Sequence, residues 1–456
     1  MPINQEIFKA YDIRGLYQKG VDEEIAYRLG LAFAEFRQEE TGQNKLNIVV
    51  GGDMRNSTPL LKESLIKGLT SKGVNVVDVG MISTPSFYFA VAYFNYDGGV
   101  IVSASHNPSE WNGFKLTGEK AKPISYDTGI KTLKEKMEKN DFHKADTPGK
   151  IIKRENVLEK QINHDLRYFE QYKIRSLKVA VDTANGMGAQ YIEPLFKHID
   201  AELLPMNFQF DGNFPAHEAD PLKEENLEEL KKKVAKEKCD LGIAIDGDGD
   251  RVFFVDDKGK TIDQSIIRGI LAKIFLREKP GSKICYDIRP GRITREMIEE
   301  NGGVPIVTKV GHSLIKQKAI EEDAYFAGES SGHFFLNMDI GCFEVPIIII
   351  GKLLQELSET DQKASQYINP FKKYFHSGEI NTEVADKQQV FEKLEEKYKD
   401  AENISKLDGI TIEYPEYWFN VRGSNTEEKV RLNLEAVSKR KMKEKTEEVM
   451  KTIKSS

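Results

Sequence analysis

Three aspartates alternate with glycine in a short segment: Asp246, Asp248 and Asp250. Carboxylates this close repel one another unless a cation lies between them, and oxygen ligands suit hard cations such as Mg²⁺ or Ca²⁺. The EF-hand calcium loop also begins with alternating acids, but it needs glycine at loop position six and glutamate at position twelve. Here those positions hold Arg251 and Asp257, and a strand-like LGIAI precedes the segment. The pattern therefore favours a cation site of another kind, with a solvated acidic turn as the alternative.

A serine in the segment Ser103–Pro108 (SASHNP) is a candidate nucleophile. Ser105 follows a strand-like run and has small neighbours, so its hydroxyl should be accessible as a nucleophile or phosphoryl carrier. His106 is adjacent and suited to orient this hydroxyl, and Lys115 supplies a cation close in sequence. The alternative is an ordinary turn built from serine, asparagine and proline.

Two further loops carry polar groups after strand-like runs. In Gly328–His333 (GESSGH), small residues let the backbone approach a polyhydroxylated ligand, with Glu329 and Ser331 as hydrogen-bond partners. In Arg422–Thr426 (RGSNT), the arginine fork, the hydroxyls and the backbone amides suit phosphate oxygens. Each loop taken alone is also consistent with a β-turn.

Weaker signals lie in two other glycine loops. Tyr11 and Arg14 belong to the segment AYDIRG, before the first predicted domain, and His312 follows Gly311 after a strand-like run. A structural histidine is the commoner case in general, so His312 is a candidate only because of its predicted position on a glycine loop.

The elements around these loops repeat along the chain. Short β-branched runs ending in aspartate occur at Asn47–Asp53, Lys178–Asp182 and Lys283–Asp287. A second strand-like run follows in each segment, with room for a helix, a strand and a helix between the two runs. A polar loop follows the second run each time, as ligand loops do at the carboxyl ends of parallel strands. The pattern predicts one α/β module used three times.

The last part of the chain has a different pattern. A strand-like GEINTEV begins at Gly378, and a charged helical pattern covers Asp386–Lys399. Further strands are predicted at Gly409–Glu413, Tyr417–Val421 and Lys429–Glu435, and a final helix has apolar residues on one face. The order βαβββα predicts a small α+β domain.

Composition limits the class of protein. The 456 residues suffice for about three or four domains, and the 39% of hydrophobic residues supports folded cores. The net charge of −7 argues against a nucleic-acid partner. Three cysteines without CxxC spacing and no visible signal peptide favour the cytoplasm. The longest apolar run, Val345–Leu354, has about half the length that spans a bilayer, so we expect a buried helix there and no membrane partner.

The four loops SASHNP, DGDGDR, GESSGH and RGSNT, in this order, together resemble those of the α-D-phosphohexomutase superfamily, over Tyr11 to Thr426. The opening KAYDIRG is similar to the phosphomannomutase/phosphoglucomutase branch rather than the phosphoglucosamine mutase branch. The resemblance implies three related mixed-sheet α/β domains and a smaller C-terminal α+β domain, heart-shaped around a central cleft. We predict these domains at residues 1–150, 151–252, 253–369 and 370–456, carrying in turn the phosphoserine, metal, sugar and phosphate loops.

The resemblance also implies roles for individual residues. Ser105 would be the phosphorylated serine, and Mg²⁺ would bind its phosphate together with Asp246, Asp248 and Asp250. Arg251 would position the phosphoserine, and Lys115 and His312 are the candidates for the general base. The other implied site residues are Glu329, Ser331 and His333 for the sugar, Arg422, Ser424, Asn425 and Thr426 for the phosphate that is not transferred, and Tyr11, Arg14 and Arg289 for the cleft lining.

Three positions depart from the superfamily pattern. Glu428 stands where a proline usually follows Thr-Glu, and Gly341–Pro346 replaces an Asp-Asp-Gly entry into the next helix. Arg289 stands where the dual-specificity bacterial enzymes tend to have lysine, and arginine keeps the charge but not the capacity for proton transfer.

By resemblance, the chain is expected to be an isomerase that interconverts hexose 6-phosphate and hexose 1-phosphate, with mannose or glucose or both as the sugar. The reaction would proceed through a phosphoserine and a hexose 1,6-bisphosphate, which also serves as activator. Phosphoglucosamine mutase and a phosphoserine-type sugar phosphatase are the alternatives. The expected partners are phosphosugars, and the expected state is a monomer or a weak homo-oligomer.

Overall fold

The computed structural model describes residues 3–423 and 428–455, which form two compact units. The first unit consists of the residues up to Ile262 together with Ala319–Asp323 and Ser331–Ser365. The second unit consists of Asp263–Lys318, Ala324–Ser330 and the residues from Gln366 onward. Within the described ranges, no helix combines the length and the apolar character needed to cross a membrane.

The N-terminal segment forms a six-stranded sheet with helices packed on it. Its elements are β1 (Ile13–Leu16), α1 (Glu23–Thr41), β2 (Asn47–Gly52), α2 (Thr58–Ser71), β3 (Asn75–Met81), α3 (Thr84–Tyr93), β4 (Gly98–Val102), β5 (Trp111–Thr117), α4 (Lys131–Lys139) and β6 (Ile151–Lys153). The strand order is β1-β5-β4-β2-β3-β6. β4 runs parallel to β2 and antiparallel to β5, so the chain reverses direction between β4 and β5.

The next segment forms a four-stranded sheet in the order β10-β9-β7-β8. Its elements are α5 (Val157–Asp165), β7 (Leu177–Asp182), α6 (Ala189–Phe196), β8 (Ala201–Met206), α7 (Glu228–Glu237), β9 (Leu241–Ile245) and β10 (Val252–Asp256). β9 runs parallel to β7 and antiparallel to β10, which reproduces the reversal between β4 and β5.

The third segment contributes to both units. Its elements are α8 (Gln264–Glu278), β11 (Lys283–Asp287), α9 (Arg292–Glu300), β12 (Val304–Thr308), α10 (His312–Glu321), β13 (Phe326–Gly328), β14 (Phe334–Met338), β15 (Gly341–Glu344), α11 (Pro346–Thr360) and α12 (Ala364–Ile368). In the second unit β11 runs parallel to both β12 and β13. In the first unit β14 and β15 form an antiparallel hairpin, and the helix α11 that follows buries Ile347–Ile350, as the apolar run predicted.

The same order of strand, helix, strand, helix and strand occurs three times, from β2 to β4, from β7 to β9 and from β11 to β13. In each repeat the first strand lies between the other two, and all three strands are parallel. This arrangement confirms the prediction of one module used three times. One detail of the prediction was wrong, because His312 is the first residue of α10 rather than part of a loop.

Loops at the carboxyl ends of the third strands carry the predicted chemistry. Every residue of β4 and β9 is buried, which explains their uninterrupted small and apolar sequences. Residues 103–110 connect β4 to β5, and residues 246–251 connect β9 to β10. The serine and aspartate segments are therefore equivalent connections in two copies of the module.

The C-terminal segment is an antiparallel sheet in the order β16-β20-β19-β18-β17 with two helices. Its elements are β16 (Phe375–Glu383), α13 (Lys387–Lys397), β17 (Asn403–Ser405), β18 (Ile410–Glu413), β19 (Tyr417–Gly423), β20 (Lys429–Ala436) and α14 (Lys439–Lys454). The predicted order βαβββα missed β17, because its three residues are too few to show an alternating pattern. Asp386 and Ser438 cap the two helices by accepting backbone N–H groups.

Short helical turns lie between several of these elements. They are the 3₁₀ turns Gln5–Ile7, Glu119–Ala121, Leu166–Tyr168, Gln171–Lys173, Glu224–Leu227 and Asn369–Phe371, and a π-helical turn at Tyr126–Ile130.

Candidate active site

Ser105 lies in a turn just beyond β4, with a φ of +52° in the left-handed region that non-glycine residues rarely adopt. Its N–H donates to Ser103 Oγ over 3.1 Å, and its own Oγ lies 3.3 Å from His106 Nδ1. Burial and the positive charge of Arg251 lower the pKa of His106, so its ring is neutral at physiological pH. Ser105 itself is only 4% exposed, although its small neighbours predicted an accessible hydroxyl. Gly247 of the aspartate loop packs against the carbonyl oxygen of Ser105.

The carboxylate of Asp246 connects the serine loop to the aspartate loop. Its Oδ2 accepts a hydrogen bond from Ser105 Oγ over 3.1 Å. Its Oδ1 accepts the backbone N–H groups of Asp250 and Arg251, each over 3.1 Å, which closes the aspartate loop. One carboxylate therefore orients both the serine hydroxyl and the backbone of the cation-binding segment.

Lys115 reaches the other two aspartates from β5. Its Nζ lies 2.5 Å from Asp248 Oδ2 and 2.6 Å from Asp250 Oδ2. Thr84, at the start of α3, donates its hydroxyl to the same Asp248 oxygen over 2.6 Å. The other oxygen of Asp248, Oδ1, is buried and accepts no hydrogen bond from any residue that the structure describes. This oxygen is therefore available to a ligand.

The aspartate cluster is buried and electrostatically coupled to Lys115. Asp246, Asp248 and Asp250 are at most 2% exposed, and they offer ligand oxygens within 4.8 Å of one another. Burial, Asp250 and Asp248 raise the pKa of Asp246 well above its usual range. Burial opposes ionisation of Asp250 too, but Lys115 and a neighbouring histidine hold the pKa of that carboxyl well below its usual value. A bound cation would relieve the repulsion that Asp246 experiences.

The neighbouring histidine is His333, which comes from the predicted sugar loop. Its Nε2 lies 3.2 Å from Asp250 Oδ1, and its Nδ1 lies 3.0 Å from Ser331 Oγ. Arg251 pairs with His333 through a backbone bridge, and its Nε lies 3.7 Å from Asp246 Oδ2. In the first unit, Ser331, His333 and Arg251 thus lie next to the aspartates.

Arg14 also belongs to this site. It forms an ion pair with Asp12, with Nε 2.9 Å from Oδ1, and its NH1 donates to Asn107 Oδ1 of the serine loop over 2.7 Å. Burial opposes its charge, but Asp12 and the loop aspartates raise the pKa of Arg14 above its usual value. Tyr11 is half-buried and directly precedes Asp12.

Arg55, which the sequence patterns did not indicate, is 1% exposed and donates hydrogen bonds to backbone carbonyls of the serine loop. It follows β2 closely, in the segment Asp53–Arg55. A signal was present, because Asp53 directly follows β2 and polar residues after a parallel strand are candidates for a site.

In the second unit, the carboxylate of Asp287 at the end of β11 organises several predicted residues. Its Oδ2 accepts from Arg289 Nε over 2.6 Å, and its Oδ1 accepts from Ser330 Oγ over 2.8 Å. The buried Arg268 NH1 donates to the same Oδ1 over 2.5 Å. Arg289 NH2 also lies 3.1 Å from Glu329 Oε1. Arg289 and Glu329 are thus held together at the carboxyl ends of parallel strands.

Glu329 also contacts the start of α10. Its Oε1 accepts the backbone N–H of Gly311 over 2.9 Å, directly before His312. The second unit therefore brings together Arg289, Glu329 and the helix that begins with His312.

The predicted phosphate-binding arginine, Arg422, lies near the end of β19 and is 8% exposed. Its NH2 donates to Glu379 Oε2 on β16 over 2.7 Å. Burial opposes ionisation of Glu379, but Arg422 and Arg431 lower the pKa of its carboxyl below the usual value. Ser424, Asn425 and Thr426 lie outside the described residues.

The chain matches all four domain models of one protein family. The α/β/α domains I, II and III of phosphoglucomutase/phosphomannomutase match residues 5–144, 158–259 and 263–374, and the C-terminal domain matches residues 379–452. The chain belongs to the phosphoglucomutase/phosphomannomutase family. It is accordingly an α-D-phosphohexomutase, an enzyme of the hexose phosphate mutase type, as the four loops predicted.

Similar proteins of this family are found in archaea and bacteria. The chain is 40% identical to a phosphomannomutase of Methanocaldococcus jannaschii over 98% of this chain and 97% of the relative. It is 36% identical to a phosphomannomutase/phosphoglucomutase of Pseudomonas putida over 95% and 92% of the two chains. The crystal structure of a phosphoglucomutase/phosphomannomutase family protein from Burkholderia thailandensis superposes with a TM-score of 0.90 at 32% identity, covering 99% and 98% of the two chains.

The aspartate loop of this family member fits a hard cation. Its three buried carboxylates offer converging oxygens, and Asp248 Oδ1 has no competing donor among the described residues. The strands β9 and β10 flank the loop, whereas an EF-hand would have helices at these positions, so the calcium-module alternative is wrong.

Proposed function

We propose that the protein interconverts hexose 6-phosphate and hexose 1-phosphate by passing a phosphoryl group through Ser105. The observation that carries this proposal is the contact of 3.1 Å between Ser105 Oγ and Asp246 Oδ2 inside a cluster of three buried carboxylates. A serine hydroxyl beside a cation-binding carboxylate is suited to carry a phosphoryl group whose charge the cation offsets.

Asp246, Asp248 and Asp250 would hold Mg²⁺ together with an oxygen of the phosphorylated serine. The cation supplies positive charge that neutralises phosphoryl oxygens during transfer. Support comes from the burial of all three carboxylates and from the raised pKa of Asp246. The backbone N–H groups that bind Asp246 Oδ1 keep its other oxygen directed at Ser105.

Lys115 and Arg251 supply further positive charge at the aspartates next to the serine. Lys115 is held by two carboxylates, and Arg251 lies next to Asp246 and His333. In the transfer step, the oxygen of a sugar hydroxyl forms a bond to phosphorus while the bond from phosphorus to Ser105 Oγ breaks. The sugar hydroxyl gives its proton to a base, for which the sequence offered Lys115 and His312. Burial opposes the charge of Lys115, but Asp248 and Asp250 raise its pKa well above the usual value, so Lys115 keeps its proton and His312 is the proposed base.

The second unit would bind the sugar and the phosphate that is not transferred. Glu329 would accept sugar hydroxyls, and Arg289, which contacts Glu329, would lie beside the sugar. Ser331 and His333, which belong to the first unit, are also proposed as sugar ligands. Arg422, with Ser424, Asn425 and Thr426, would bind the distal phosphate. Support comes from the ion pairs that hold Arg289 and Arg422 in place, because a pre-oriented guanidinium loses little freedom when it binds phosphate.

The intermediate would be a hexose 1,6-bisphosphate that turns around in the site. The phosphate that the substrate brought then passes to Ser105. The serine therefore ends each cycle phosphorylated, and hexose 1-phosphate has become hexose 6-phosphate or the reverse. Added hexose 1,6-bisphosphate should activate protein that has lost its phosphate.

Mannose and glucose are the proposed sugars. Relatives named phosphomannomutase and phosphomannomutase/phosphoglucomutase are 35–40% identical to this chain over nearly its whole length. Solved N-acetylglucosamine-phosphate mutases are only 13–14% identical and share the fold alone. Phosphoglucosamine mutase and a sugar phosphatase remain the alternatives.

The test is a set of coupled assays run side by side with mannose 1-phosphate, glucose 1-phosphate and glucosamine 6-phosphate. We expect turnover of mannose 1-phosphate, glucose 1-phosphate or both, with no release of inorganic phosphate. Turnover of glucosamine 6-phosphate alone would assign the chain to the phosphoglucosamine branch, and stoichiometric release of phosphate would assign it to the phosphatases.

Three further expectations stay proposals. The domains are proposed to divide near residues 150, 252 and 369, the location is proposed to be the cytoplasm, and the oligomeric state is proposed to be a monomer or a weak homo-oligomer.

A further inference from the structure

The guanidinium of Arg55 lies beneath the serine loop and is almost completely buried, at 1% exposure. Its two terminal nitrogens donate to three carbonyl oxygens of the loop between β4 and β5 and to the carbonyl oxygen of the first residue of β5. The acceptors are those of Ser105 at 2.8 Å and Asn107 at 2.6 Å from NH2, and those of Pro108 at 2.7 Å and Trp111 at 3.1 Å from NH1. One side chain therefore binds the backbone from Ser105 to the start of β5.

Arg55 is itself held rigidly by its neighbours. Its Nε lies 3.2 Å from Asp53 Oδ2, and Asp53 Oδ1 accepts the backbone N–H of Arg55 over 3.0 Å. The guanidinium carbon lies 4.9 Å from the centre of the Phe214 ring, and Gly212 approaches the Arg55 backbone so closely that a Cβ there would lie 2.8 Å from its Cα. Phe214 and Gly212 belong to the second α/β segment, so the arginine is enclosed from both sides.

The geometry of the loop explains why an arginine is required. Carbonyl oxygens that point toward one another need several donors in one place, and a guanidinium offers five in a planar fork, whereas an ammonium offers three from a single atom. Ser105 also adopts φ +52°, a conformation that costs free energy and persists only when its surroundings hold it. Because Arg55 binds the carbonyl oxygen of Ser105 itself, it restrains the strained residue directly.

We propose that Arg55 is the positioning residue of the phosphoryl-carrying serine: through the backbone carbonyls it sets the direction of Ser105 Oγ relative to Asp246 Oδ2. This inference rests on the proposed function. Arg55 does not touch the substrate. It acts on both phosphorylation of the serine and transfer from it, because both steps need Ser105 Oγ, the phosphorus and the sugar oxygen roughly in line.

The test compares Arg55→Lys with the matched control Arg37→Lys. Arg37 is also buried in the first unit and also donates to a backbone carbonyl, that of Asp97. Its contacts with described residues include neither the serine loop nor the aspartate loop. For Arg55→Lys we expect kcat to fall roughly tenfold to a hundredfold, because a misplacement of about 1 Å has that effect. KM should stay within about twofold, since the groups proposed to bind the sugar phosphate are untouched. Arg37→Lys should keep the kcat of the unaltered protein.

A second measurement separates positioning from general stability. The unaltered protein and both variants are stripped of phosphate and mixed with labelled glucose 1,6-bisphosphate, and the rate of label transfer to Ser105 is followed in single-turnover experiments. Arg55→Lys should take up label at least about tenfold more slowly while its circular dichroism spectrum is unchanged. If Arg55 served stability alone, folded Arg55→Lys would take up label at the normal rate with only a lower melting temperature, and the inference would be overturned.

A milder variant covers the case in which Arg55→Lys does not fold. Asp53→Asn keeps the size of the residue that holds Arg55 but removes its charge, and it should slow label transfer in the same direction by a smaller factor. An unchanged labelling rate in folded Asp53→Asn contradicts the inference. If the unaltered protein takes up no label, the proposed function itself is wrong, and that outcome is distinct from normal labelling in the variants.

Discussion

Ser105 Oγ donates to Asp246 Oδ2 over 3.1 Å, although the two residues are 141 positions apart in the sequence. Each residue lies in the connection from a buried third parallel strand to an antiparallel strand, in separate copies of the same α/β module. The first unit thus brings the loop that we propose to carry the phosphoryl group next to the loop that we propose to bind the cation. Because the two roles belong to different residues, substitutions can test each role separately.

The phosphoserine role predicts a mass difference. A fraction of the purified chains should have a mass about 80 Da above the mass calculated from the sequence, because phosphorylation adds one phosphoryl group to the serine. Ser105→Ala should lose both this species and the activity, measured by intact mass spectrometry and a coupled assay. Ser109→Ala, at an exposed position of the same loop, serves as the control, and it should keep the heavier species. If the Ser105→Ala protein retains the added mass, the phosphorylated residue is not Ser105.

The proposed cation site predicts that activity is lost both on removal of the metal and on substitution of an aspartate ligand. Chelation with EDTA should abolish activity and added Mg²⁺ should restore it, because the aspartates then have no cation to share with the phosphoserine. Asp248→Asn should lower kcat at least about a hundredfold at any Mg²⁺ concentration, since it removes one ligand charge from the site. Asp97→Asn, which alters a carboxylate that accepts a strand N–H elsewhere in the first unit, is the control. Undiminished metal-dependent turnover in Asp248→Asn would show that Asp248 is not a ligand of the cation.

Arg422 is expected to act on substrate binding rather than on the transfer step. Arg422→Ala should raise KM roughly tenfold to a hundredfold, the effect of losing one or two hydrogen bonds to a charged group, while kcat changes less. Arg440→Ala removes an exposed arginine from the same domain and should leave both constants unchanged. Steady-state kinetics with mannose 1-phosphate and glucose 1-phosphate measure the effect. Equal losses in kcat and in kcat/KM for Arg422→Ala would contradict a binding role.

The pair of His376 and Asp263 should make the stability of the second unit depend on pH. His376 Nε2 lies 2.5 Å from Asp263 Oδ2. The hydrogen bond to Asp263 raises the pKa of His376 above 6.5, although burial opposes this. Burial would raise the pKa of Asp263, but the hydrogen bond from His376 lowers it below 3.8. The stabilisation by the histidine is thus fully present below its unfolded pKa and is lost as the pH rises through the folded value. The part due to the aspartate is lost as the pH falls through its folded pKa.

Urea unfolding measures this effect. The free energy of unfolding should differ between the unaltered protein and His376→Gln more at about pH 5.5 than at about pH 8.5. The difference should not exceed about 1 kcal/mol, because both side chains are partly exposed to water. His198→Gln, at an exposed position outside any such pair, should show no pH-dependent difference. An equal effect of His376→Gln at both pH values would mean that the pair contributes no charge interaction.

Much of the fold was predictable because local patterns repeat. Buried strands such as β4 and β9 have uninterrupted small and apolar sequences, and each predicted polar loop begins where such a strand ends. The short strand β17 and the helical position of His312 were missed, because a three-residue strand and the first residue of a helix have no periodic signal.

The candidate site was predictable as a set of loops but not as a set of contacts. The aspartate motif indicated a cation site from its own spacing. Nothing in that spacing indicated that Lys115 would bridge Asp248 and Asp250, or that His333 would contact Asp250. These contacts join residues from different segments of the chain, so they depend on strand order and packing.

By itself, the sequence determined the order of the four loops, the threefold repeat of the α/β module and the residue types available for phosphoryl transfer. Tertiary structure alone decided which groups meet: Ser105 with Asp246, Lys115 with two aspartates, and Arg55 with the carbonyls of the serine loop. The physical reason is that strand and helix periodicity is encoded within a few neighbouring residues. The direction of a carbonyl or a carboxylate, in contrast, is set only when distant segments pack and exclude water from the polar groups between them.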